Sequence, residues 1–146
     1  MLNSQKYKKG EITMPWTPNL SVGVAQIDDQ HKLLFEKAEK LFEAGKKNQA
    51  KEYIGELLDF LESYTQKHFA DEERYMLSIH YPQFGEEKAA HTAFVAQLKK
   101  LRSDYTASGS NILVVLNANQ MIVDWLTKHI SIMDKKIGEF ARSVQK

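Results

Sequence analysis

His68-Phe69-Ala70-Asp71-Glu72 sets an imidazole and a carboxylate four residues apart. On an α-helix that spacing leaves them about 40° apart and one turn along. Both can point at one metal ion, or at two ions that share the carboxylate. The surrounding run, Leu57, Leu58, Leu61, Thr65, His68, Glu72, Tyr75, Met76 and Ile79, recurs at helical spacing and is mostly apolar. The pair therefore lies on a face that enters a core, where a carboxylate must be neutralised, paired or metal-bound. Taken alone, the plainer reading is a hydrogen-bonded core histidine beside a half-exposed glutamate.

The rest of the chain overturns that reading. His31 falls inside the stripe Ile27, Leu34, Phe35, Ala38, Leu41 and Phe42. Glu87 and His91 fall inside the stripe Phe84, Phe94, Leu98, Leu101 and Tyr105. His129 continues Ile122, Trp125 and Leu126, and Asp134 follows it by five residues, where a helix end could turn the carboxylate back inward. Four of the five histidines thus sit in apolar stripes, one per helix, with three inward carboxylates. Imidazole and carboxylate without thiolate suit iron, manganese or zinc. Seven ligands exceed one ion but fit a pair bridged by two carboxylates. The remaining five are an odd number, so one ion is saturated and the other keeps an open position, a place for a small ligand such as oxygen. Paired Glu-x-x-His motifs, the mark of ferritin-like sites, are absent. His80, if helical, lies about 12 Å beyond Glu72 along the axis and reads as a surface residue.

Four helices must hold these ligands. The first runs from a cap at Asp28 or Asp29 to about Gly45, and the second from about Asn48 to Ile79, stopped by His80-Tyr81-Pro82. The third spans about Gln83 to Ala107. Ser108-Gly109-Ser110 turns the chain, and Ser110 is positioned to cap the fourth. That helix opens with Ile112-Leu113-Val114-Val115-Leu116, apolar nearly all round and hence expected to be buried. Ile130 to Lys146 reads as a short terminal helix. Short connections predict an all-α, antiparallel up-down four-helix bundle. Residues 1–13 are polar and aperiodic and read as a flexible extension. Residues 14–146 form the domain, which begins with an irregular arm where Trp16 packs on the body.

Composition narrows the class. With 146 residues the chain can bury a sizeable core, and 20 basic against 19 acidic side chains give a formal charge of +1. Nothing there suggests a nucleic-acid or membrane-surface partner. The lack of cysteine removes disulfides, thiolate zinc sites, iron–sulfur clusters and thiol nucleophiles. No signal-peptide h-region precedes Met14 and no apolar run reaches membrane-spanning length, so a cytoplasmic protein is expected. A plain helical interaction module would require the inward ligands to be accidental.

In WTPNLSVGVAQIDDQHKLLF, HFADEERYM, HYPQ, HTAF and DWLTKHISIMD, from about Trp16 onward, the chain resembles the bacterial hemerythrins (bacteriohemerythrins). The resemblance implies a non-haem di-iron centre, oxo- or hydroxo-bridged, that binds O2, with peroxide or NO as further small ligands. By motif position, His31 and His68 would hold the five-coordinate, oxygen-binding iron, and His91 and His129 the other. Glu72 and Asp134 would bridge. Leu34, Phe69, Trp125, Leu126 and Ile130 would line a dry oxygen pocket.

One position departs from the family pattern: Glu87 stands where the family has the first histidine of His-x-x-x-His. It precedes His91 by one turn, whereas Glu86 would point about 140° away from His91. An anionic Glu87 cancels the single positive charge left by two ferrous ions, two carboxylates and a hydroxide. In a low-dielectric core this favours the ferric state. The expectation is therefore an oxygen-binding protein for storage, transport or sensing. The alternative is a di-iron oxidase or peroxidase-like enzyme acting on O2 or peroxide.

Overall fold

The computed structural model describes residues 15–144; the expected flexible extension and the domain start at Met14 lie outside the described residues. A 3-10 turn at Pro18–Leu20 leads into α1 (Ala25–Lys46), α2 (Ala50–Ser78), α3 (Phe84–Ser108) and α4 (Ile112–Asp124). A π-helical segment, Trp125–Asp134, continues α4 without a break and passes into α5 (Lys135–Val144). Helix α1 packs on α2 and α4, α2 on α3, and α3 on α4, which closes the expected antiparallel bundle. Helix α5 packs back on the π segment and on the 3-10 turn.

The helix ends follow local chemistry more closely than sequence patterning did. Helix α1 starts before Asp28, with Val24 at the cap position. Asp28 instead catches the N-terminal arm, accepting from the Val22 amide at 2.9 Å and from the Ser21 hydroxyl at 2.5 Å. His80 ends α2 in the left-handed region, φ 55°, the C′ conformation usually given to glycine. After α3, Gly109 stands at the C-cap itself with φ 71° and ψ −158°, a backbone conformation that suits glycine. The cap of α4 is Asn111, whose side chain accepts from the Val114 amide at 3.0 Å, and not Ser110. Asn111 offers the same short oxygen one residue closer to the helix.

The start of α4 corrects a second expectation. Val114, Val115 and Ala118 are buried, but Ile112, Leu113 and Leu116 are 58%, 66% and 52% exposed. A helix at the rim of a four-helix bundle buries one stripe only. Trp16 packs as expected, partly buried against the core with the Lys32 ammonium 4.6 Å above its ring.

The core falls into two parts. The larger includes Leu34, Leu57, Leu61, Phe94, Leu98, Leu126 and Ile130. The smaller gathers Val22, Ile27, Met76, Tyr81 and Ile137, with Phe84 packed against it. On α1 and α3 the candidate ligands lie in sequence between the two: Ile27, His31, Leu34 on α1; Phe84, Glu87, His91, Phe94 on α3. A layer of polar side chains thus crosses an apolar interior.

The smaller core depends on a close approach. A Cβ at Gly138 of α5 would lie 2.9 Å from Val22 Cα and closer still to the Ser21 carbonyl oxygen, both backbone atoms of the arm. Backbone cannot step aside as a flexible side chain can. Gly138→Ala is expected to cost about 1–3 kcal/mol by overpacking, seen as a lower thermal midpoint. An unchanged midpoint would show that the arm is not held there.

Candidate metal centre

All seven sequence-predicted ligands converge, and each is at most 3% exposed. Two donor groups form. His31, His68, Glu72 and Asp134 make one; Glu72, Glu87, His91, His129 and Asp134 make the other. Glu72 and Asp134 belong to both, and each divides its oxygens between them. Glu72 Oε2 lies 3.1 Å from His31 Nε2 and 3.7 Å from His68 Nε2, while Oε1 lies 3.0 Å from His91 Nε2. Asp134 Oδ2 is 3.2 Å from His31 Nε2, and Oδ1 is 3.0 Å from His129 Nε2. Glu87 Oε1 stands 2.9 Å from His129 Nε2 and 3.8 Å from His91 Nε2. Glu86 points out to solvent and His80 is exposed, as their positions predicted.

The π segment brings Asp134 in. Five residues along an α-helix turn a side chain by about 140°, so His129 and Asp134 would diverge. In a π-helix the hydrogen bonds run from i to i+5, and the wider winding brings residue i+5 much nearer to the side of residue i. Asp134 therefore enters from within a continuous helix, not from the helix end expected. The Ser131 hydroxyl donates to the Leu126 carbonyl, also five residues back, at 2.6 Å.

Outer partners fix the proton positions. The Gln30 amide nitrogen donates to Asp71 at 2.8 Å, which turns its carbonyl toward His68 Nδ1, 2.7 Å away. Glu73 Oε2 lies 2.8 Å from His91 Nδ1. Each Nδ1 is thus a donor, and in the neutral ring each Nε2 carries a lone pair. Those lone pairs face carboxylate oxygens. Both Glu87 oxygens, both Asp134 oxygens, His68 Nε2 and His129 Nε2 are buried without an aligned hydrogen-bond partner among the described residues. Acceptors aimed at acceptors inside a core need cations between them.

A family model, the hemerythrin HHE cation binding domain, matches residues 22–141. Bacteriohemerythrin of Methylococcus capsulatus is 32% identical over 126 residues, covering 86% of this chain and 94% of that protein. The chain belongs to the hemerythrin family. Bacteriohemerythrin of Stenotrophomonas maltophilia is also 32% identical, over 115 residues, 79% of this chain and 72% of that protein. Myohemerythrin of Sipunculus nudus is 28% identical over 121 residues, 83% and 88% respectively. The cofactor of this hemerythrin is accordingly a non-haem di-iron centre, for which the buried His, Glu and Asp cluster provides the donors.

Without metal the cluster of this hemerythrin neutralises itself. Burial opposes a charge on His31, but the Asp134 and Glu72 carboxylates outweigh it and raise the imidazole to about 10. Burial likewise opposes His129, which Asp134 and Glu87 raise to about 10. Burial raises the Glu72 carboxyl and the histidines around it prevail, bringing it down to about 2. Asp134 is lowered too, burial being outweighed chiefly by His129. Burial keeps His68 neutral down to about 4 and holds the Glu87 carboxyl protonated up to about 8. At neutral pH, a metal taking up His31, His129 and Glu87 would therefore have to displace their protons.

The five apolar residues expected around an oxygen pocket are all buried in this hemerythrin: Leu34, Phe69, Trp125, Leu126 and Ile130. Phe69 lies flat on His91 (centroids 4.0 Å, 3° between planes) and Trp125 on His129 (3.7 Å, 9°). These two rings cover the five-donor group most directly, with Phe69 5.7 Å from the His68 ring. Gln30, Glu73 and Tyr64, which stacks on His68 and donates to the Gln30 backbone carbonyl at 2.7 Å, were not singled out by sequence. The only signal was position: Gln30 and Glu73 adjoin His31 and Glu72, and Tyr64 lies one helical turn before His68.

Proposed function

We propose that this chain binds dioxygen at the metal held by His31, His68, Glu72 and Asp134, as an oxygen-binding protein for storage, transport or sensing. The inequality of the two donor groups carries the reading: with the shared carboxylates counted at both, one group has four donors and the other five. The metal with fewer donors keeps a position for a ligand. Iron bound there would supply the electrons that dioxygen takes up and would recover them when dioxygen is released. The protein's part is to hold His68 by Gln30 and His91 by Glu73, and to keep water out with Leu34, Phe69, Trp125, Leu126 and Ile130. Lack of cysteine fits work in a reducing cytoplasm, and among the described residues no helix is long and apolar enough to cross a membrane.

The test is optical. Iron-loaded protein, reduced under argon, is expected to gain a visible absorption band on exposure to oxygen and lose it when oxygen is removed. No band, or oxidation that oxygen removal does not reverse, would defeat the reading.

Glu87 favours a second reading, an oxidase or peroxidase-like enzyme. It adds a third buried carboxylate to the cluster, and negative charge favours the ferric state. Catalytic consumption of peroxide by the iron-loaded protein, with an added electron donor, would select it.

A further inference from the structure

The two donor groups differ in what stands behind their histidines. His68 Nδ1 donates to a neutral amide, Gln30, at 2.7 Å; His91 Nδ1 donates to a carboxylate, Glu73, at 2.8 Å. The Gln30 amide nitrogen is anchored on Asp71, whose charge is already met by Lys67 and Arg74, each 3.1 Å away. Glu73 keeps one oxygen on His91 and gives the other to the Lys88 ammonium at 2.8 Å. That ion pair lies at the surface, with Lys88 56% exposed, while the imidazole behind Glu73 is buried. Solvent screens the lysine more than it screens the carboxylate–imidazole contact.

A carboxylate accepting the outer N–H makes an imidazole a stronger donor to its metal; an amide does so far less. This asymmetry falls on the same side as Glu87, so both anionic additions act on the five-donor group. We infer that Glu73 and Gln30 are positioning residues that fix the order of oxidation: Glu73 makes the His91–His129–Glu87 iron the first to lose an electron, and Gln30 leaves the His31–His68 iron the last. Half-oxidised protein then keeps its ferrous ion at the position with fewer donors. The inference rests on the reading above in treating the sites as two irons with unequal donor sets.

Stepwise oxidation of the full-length, iron-loaded chain, followed spectroscopically against potential, tests it. Glu73→Gln retains an acceptor for His91 and removes the charge. Its first oxidation is expected to become about tenfold less favourable, about 59 mV higher for a one-electron couple, with two irons retained. Gln30→Glu is expected to lower the second step and narrow the gap between the two. Lys88→Met, at the surface, is expected to lower the first step. Potentials unchanged in Glu73→Gln and Gln30→Glu, with iron retained, would overturn the inference. Should Glu73→Gln lose iron, unchanged potentials in the other two variants would overturn it equally. Shifted potentials in a protein without an oxygen-dependent band would uphold the ordering and defeat the oxygen-binding reading; the converse result would do the opposite.

Discussion

Glu72→Ala is expected to strip both irons, leaving well under one per chain in protein expressed with ample iron. Glu72 is the carboxylate that approaches three candidate-ligand histidines, His31, His68 and His91. Its loss removes a donor from both groups at once. Losing even an outer partner costs about 10–100-fold in metal affinity, so a shared inner carboxylate should cost more. It also takes from His31 and His91 the buried carboxylate at 3.0–3.1 Å from their Nε2 atoms, and breaking such a buried pair costs about 3–5 kcal/mol. The apolar clusters on either side of the ligand layer do not include Glu72, so helical content should persist while the thermal midpoint falls. Iron content and circular dichroism check this together. Two irons per chain in Glu72→Ala would show that the carboxylate does not bridge.

Glu87→His is expected to raise the reduction potential and lengthen the life of the oxygenated form. The Glu87 side chain is 1% exposed, neither oxygen has an aligned hydrogen-bond partner among the described residues, and Oε1 lies 2.9 Å from His129 Nε2. Replacing an anion by a neutral imidazole removes the charge that favours the ferric state. A tenfold change in that preference is about 59 mV for a one-electron couple. Glu87→Ala should instead weaken iron retention at the His91 and His129 side. A Glu87→His protein with an unaltered potential would refute the assignment of Glu87 as an iron ligand.

The candidate cluster was legible because polar sites inside bundles leave a contradiction in the sequence: titratable residues on stripes that periodicity assigns to a core. His31, His68, Glu87 and His91 stood out that way, and helical angles alone separated Glu87 from Glu86. Other features had no such trace. Gln30 and Glu73 are polar residues beside ligands, each about 100° off the buried stripe, where a solvated residue would look the same. Asp28 carries the signature of a cap but ties down the arm, because Ser21 and Val22 come within its reach through tertiary packing. The run Ile112 to Leu116 reads as buried by composition, yet only one stripe of it finds a partner. Hydropathy reports how apolar a helix is, not how many neighbours it has.

The π segment makes ligand spacing a property of helix type as much as of residue order. A chain with four residues from histidine to aspartate presents the same pair on an ordinary α-helix, so a one-residue gap in this stretch, between two aligned sequences, removes no ligand. Conversely, the five-residue spacing here ties cofactor and backbone together. An α-helical alternative for Trp125–Asp134 would turn Asp134 away from His129, so the wider winding is what keeps the two side chains together.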